Sequence, residues 1–95
     1  MKVRELLEMV DETIAELKVA LVANQSRAFE TPYTSLEFTQ RAIEIQEDLD
    51  DLIKVRERLS ALDPDTEAEE YFGEEEIEKL KELLELLKES KSHVY

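Results

Sequence analysis

The chain has 95 residues with 25 acids, 12 bases, one His, one Gly, two Pro and no Cys, for a net charge of -13. One domain, residues 1–95, fits this length. The acid excess opposes direct binding to nucleic acid or to anionic membranes, which select Lys and Arg. The missing Cys excludes disulfides, thiolate zinc sites and a cysteine nucleophile, and the single Gly excludes Gly-rich phosphate loops.

Apolar residues make up 42% of the chain, too many for a disordered acidic tail. The first predicted helix spans about 2–29. Val3, Leu7, Val10, Ile14, Leu17, Leu21, Asn24 and Ala28 alternate steps of four and three, a heptad seam. Glu5, Glu8 and Asp11 interrupt any signal-peptide run. The stretch Val19 to Ser26 carries no charge, yet is far short of the roughly 20 apolar residues of a membrane span. These features predict a soluble, cytoplasmic protein. Pro32 then breaks the helix, because the residue before proline is pushed out of helical angles.

The second predicted helix spans about 35–62. Thr34 with Glu37 fits a capping box. Phe38, Ala42, Ile45, Leu49, Leu52, Leu59 and Leu62 form its stripe, which ends at Leu62-Asp63-Pro64. An acidic connection, 63–73, follows, in which Thr66 and Glu69 suggest a short capped turn. The third predicted helix spans about 74–91, with Ile77, Leu80, Leu84 and Leu87 as seam and Leu83 widening it. Residues 90–95 form a polar tail.

The expected fold is all-α. Two long helices form an antiparallel hairpin and a shorter third helix folds back along it, assembled into an oligomeric helical bundle. Up-down-up topology places Phe29, Tyr33, Phe38 and Tyr95 at one end and Tyr71 and Phe72 at the other, as apolar plugs.

Helix one holds the main functional signal. Ala15, Val19, Val22, Ala23 and Ser26 lie away from its seam, where a surface helix should be polar. Leu36 and Ile43 sit off the stripe of helix two. Together these seven residues predict a second apolar patch, and a protein interface. A homodimer is the commonest symmetric solution. Asn24 and Arg56 are polar at seam positions. A buried Asn can set register, and an Arg can pair with another helix or keep its head in water.

Residues 63–74 resemble a calcium loop in acid spacing only. Asp63, Asp65, Glu67, Glu69 and Glu74 stand at positions 1, 3, 5, 7 and 12, but the required Gly at position 6 is Ala68 and position 2 is Pro64. No Glu-x-x-His motif is present, and Glu44 and Glu47 face away from the stripe. No cofactor or metal is expected, and no activated nucleophile or acid–base pair points to an enzyme.

The charge is uneven. Residues 1–31 carry net -2, residues 32–62 net -3 and residues 63–95 net -8. The leading expectation is a non-enzymatic, self-associating structural or adaptor protein. The alternative is an acidic inhibitor or DNA mimic that occupies the groove of a basic nucleic-acid-binding protein.

Overall fold

The computed structural model describes residues 1–91. Helix α1 spans Val3–Glu30, α2 spans Ser35–Ser60 and α3 spans Glu74–Lys91. A single 3-10 turn, Ala68–Glu70, lies in the connection before α3. The described residues contain no strand beyond an isolated bridge between Lys2 and Glu67. The polar tail and Tyr95 fall largely outside the described residues.

The fold is an antiparallel α1–α2 hairpin with α3 laid along α1. The three helices have 28, 26 and 18 residues, or about 42, 39 and 27 Å at 1.5 Å per residue. The molecule is a rod 51 Å long and 21 by 15 Å across. Because α3 starts at the same end as α1 and is shorter by ten residues, it leaves about 15 Å of the hairpin uncovered. That uncovered end, around the Pro32 turn, is called the tip; the end holding the connection is the base.

Two partners widen the buried arc of α1. Val3, Val10, Ile14 and Leu17 of the expected seam are buried, but Leu7 and Leu21 are only half-buried, while Leu6, Thr13 and Ala20 are buried. A strict heptad seam serves one neighbour, whereas α1 serves two, so its buried face spreads toward α3. Thr13 is tolerated there because its Oγ1 donates to the Met9 carbonyl at 2.9 Å. On α2, Ala42, Ile45, Leu49, Leu52 and Leu59 are buried, and Phe38 and Leu62 half-buried. On α3, Ile77, Leu84 and Leu87 are buried and Leu80 half-buried. Leu83 does not widen this seam. It is half exposed, because α3 packs mainly on α1.

The connection replaces a side-chain cap on α1. Lys2 at the N-cap makes no capping bond, so the first amides need other acceptors. Val3 N–H donates to the Thr66 carbonyl at 3.0 Å and Arg4 N–H to the Pro64 carbonyl at 3.1 Å. Ala68 N–H donates back to the Met1 carbonyl at 2.7 Å. Ala68 is fully buried under this staple. The α2 capping box does not form. Thr34 makes no cap bond, its Oγ1 is buried without a partner, and Glu37 instead pairs with Arg41 at 2.6 Å.

Candidate functional site

The tip departs most from the expected packing. Phe29 and Tyr33 are 92% and 95% exposed, so they do not plug the bundle. The shorter α3 stops short of covering them. Phe38 is half-buried, but its ring is flanked by the Arg27 and Arg41 guanidinium groups, 5.9 and 5.6 Å from its centroid. At the base, Phe72 is half-buried against the core and Tyr71 is exposed.

The predicted interface residues are solvent-facing with one exception. Val19, Val22 and Leu36 are 65%, 60% and 80% exposed, Ile43 is nearly half exposed, and Ala15 and Ser26 are exposed. Ala23 is half-buried. The five on α1 lie within an arc of about 100° on that helix, and Leu36 and Ile43 stand on α2. Ile43 lines an open groove of about 470 Å³ with Leu21, Ala28, Phe29 and Ala42, bordered by Gln25, Thr39 and Gln46. None of these eight residues is charged, in a chain that is 39% charged. At about 100° per residue, Ala15, Val22 and Phe29, spaced by seven, share one side of α1 beside the groove, while Ser26 and Val19 lie about 40–60° further round.

Asn24 and Arg56 part company. Asn24 is fully buried; its Nδ2 donates to the Ala20 carbonyl at 2.8 Å and its Oδ1 has no partner. Arg56 is not in the core. Its guanidinium reaches across the hairpin to Asp11, and both side chains are nearly half exposed.

The acidic connection is engaged in the fold. Asp63 Oδ1 accepts from Asp65 N–H at 3.0 Å, and Asp65 pairs with Arg4. Glu67 and Glu69 accept from the Met1 ammonium at 2.8 and 3.1 Å. These carboxylates hold the ammonium proton more tightly than usual, Glu67 first and Glu69 second. In turn Glu69 is held below the ordinary carboxylate range, first by its own backbone N–H and then by Met1. Among the described residues no group of three or more His, Cys, Asp or Glu is placed to hold a metal ion. No helix of those residues is long and apolar enough to cross a membrane.

A second groove, of about 200 Å³, opens at the base between α2 and α3. Leu6, Val55, Leu59, Phe72, Ile77 and Leu80 line it, and Arg58 and Glu76 stand at its rim. The sequence pattern did not indicate it, because it depends on where α3 seats. No family model matches the chain, and neither a curated protein nor a solved structure matches it.

Proposed function

We propose that this chain is a non-enzymatic, self-associating helical module, structural or adaptor-like, that pairs with a second copy through the hairpin tip. The observation that carries this reading is the exposed apolar surface of the tip, where Phe29, Leu36, Val19 and Val22 stand in water beside an uncharged groove. Two aromatic rings alone offer roughly 300–500 Å², about half of the roughly 800 Å² each partner contributes to a stable interface. Charge favours the same place. Residues 15–46 hold three bases and four acids, so copies meeting there keep their acidic thirds apart. The proposal places the module in the cytoplasm.

Light scattering at tens of micromolar tests the proposal. A dimer is expected, and a monodisperse monomer sinks it. Replacing Val19 and Val22 with Glu should yield a folded monomer, since both are exposed and surface changes usually cost within about 0.5 kcal/mol.

The net -8 of residues 63–95 favours a second reading, an acidic inhibitor or DNA mimic. Against it, Asp65, Glu67 and Glu69 are already committed to Arg4 and Met1. Association with a basic nucleic-acid-binding protein whose rate ignores salt would remove this reading.

A further inference from the structure

We propose that the α2–α3 groove at the base seats an amphipathic helix with basic flanks, supplied by another protein, as the fourth helix of this end. The proposal is independent of the tip. Helix α1 packs on both α2 and α3, whereas α2 and α3 barely touch each other. The three helices therefore occupy three corners of a square, with the corner opposite α1 open. Helix bundles close such a square with a fourth helix packed at a shallow angle.

The lining has the chemistry of a helix-binding groove. Its floor is apolar: Leu6, Val55, Leu59, Phe72, Ile77 and Leu80. Residues seven apart share a helix side, so one heptad beyond Glu76 the same side of α3 presents the half-exposed Leu83. On α2 the same step runs back from Val55 to Asp48 and from Arg58 to Asp51. A visiting helix meets apolar surface along its seam and, at its edges, three carboxylates, Glu76, Asp48 and Asp51, against the one guanidinium of Arg58. Apolar anchors at i, i+3, i+4 and i+7 with Lys or Arg beside them satisfy both. The 18-residue length of α3 sets the length of helix the groove accepts.

Charge excludes a second copy as this occupant. Helix α1 holds three bases and six acids, and α2 and α3 each hold four bases and seven acids. Every helix of this chain is thus net -3, and any of them in the groove sets acid against acid.

The test uses a fluorescent 18-residue synthetic helix with Leu at its seam and Lys on both flanks, titrated with the full chain by anisotropy. Micromolar binding is expected, weakening about tenfold or more between 50 and 300 mM salt. Leu83→Lys and, separately, Val55→Lys should each weaken it at least tenfold with helix content unchanged by circular dichroism. Leu83 is exposed, so that variant folds even if the half-buried Val55 variant does not. Val19→Glu with Val22→Glu at the tip should leave binding unchanged. Four results would overturn the proposal: no binding at millimolar chain, equal binding of a Glu-flanked peptide, equal binding of a scrambled Lys-rich peptide, or indifference to Leu83→Lys. Loss of self-association in Leu83→Lys would assign the groove to a second copy and also overturn it.

Discussion

Asn24 Nδ2 donates to the Ala20 carbonyl one turn earlier, at 2.8 Å, which leaves Asn24 Oδ1 buried with no donor facing it. The bond stays within α1, so the side chain ties no second helix. A buried unsatisfied acceptor costs about 1–3 kcal/mol. Such a cost is tolerated in coiled coils where one polar residue rejects alternative registers. Asn24→Leu should therefore raise the unfolding free energy by about 1–2 kcal/mol, seen as a higher urea midpoint. If Asn24 also sets register, the variant should give broadened amide resonances or mixed oligomers by light scattering. A lower midpoint would mean that the site cannot accept two methyl groups in place of the amide oxygen and nitrogen.

Leu17 and Leu83 are both leucines at seam-like positions, but only one is core. Leu17 is fully buried between the helices, and Leu83 is about half exposed. Leu17→Ala should cost about 2–5 kcal/mol by lost transfer energy and a residual cavity. Leu83→Ala should cost within about 0.5 kcal/mol. Chemical denaturation of the two variants checks the seating of α3. Equal losses would require α3 to be rotated from the position described.

The helix ends were legible because the breakers are few. Pro32 and Pro64 stop α1 and α2 within two residues of the expected places, and Gly73 immediately precedes α3. The breadth of the α1 core was not legible. A heptad seam shows one partner, and burial of Leu6, Thr13 and Ala20 follows from a second partner whose placement is tertiary. The fate of Phe29 and Tyr33 depended on how far α3 reaches beside them. Helix length hinted at the answer, since 18 residues cannot cover 28. The carbonyls of Pro64 and Thr66 that cap α1 left no trace in side-chain pattern, because main-chain acceptors belong to every residue.

Arg56 and Asp11 lie 45 residues apart and join α2 to α1 in the half of the rod nearer the base. Exposed pairs of this kind contribute about 0.2–1 kcal/mol and are screened by salt. Arg56→Ala and Asp11→Ala should each be mild, and their double-mutant cycle should give a coupling below about 1 kcal/mol. The coupling should shrink between 0.05 and 1 M salt. A salt-insensitive coupling would show that the Arg56 stem, packed on its neighbours, contributes more than the charge.

The Met1 ammonium and its two carboxylates give the base a pH window. The ammonium proton is held above its ordinary value of 8.0 by Glu67 and then Glu69. A group with a raised folded pKa stabilises fully below its unfolded value and loses that contribution as pH rises through the folded value. The Glu69 carboxyl is held below its ordinary value of 4.5. Its contribution is present above that value and disappears as pH falls through the folded one. The staple should therefore be complete between about pH 4.5 and 8 and weaken on both sides. Nα-acetylation should remove the alkaline limb, because no titrating amine remains. Glu67→Gln with Glu69→Gln should also flatten that limb, since the raised pKa depends on both carboxylates, and should remove Glu69's share of the acid limb. Urea midpoints from pH 3 to 10 for the three proteins separate these limbs. An alkaline limb that persists after acetylation would assign it to other titrating groups. The staple also carries the carbonyls of Pro64 and Thr66 that cap α1, so hydrogen exchange at Val3 and Arg4 should accelerate above pH 8 beyond the intrinsic base-catalysed rate.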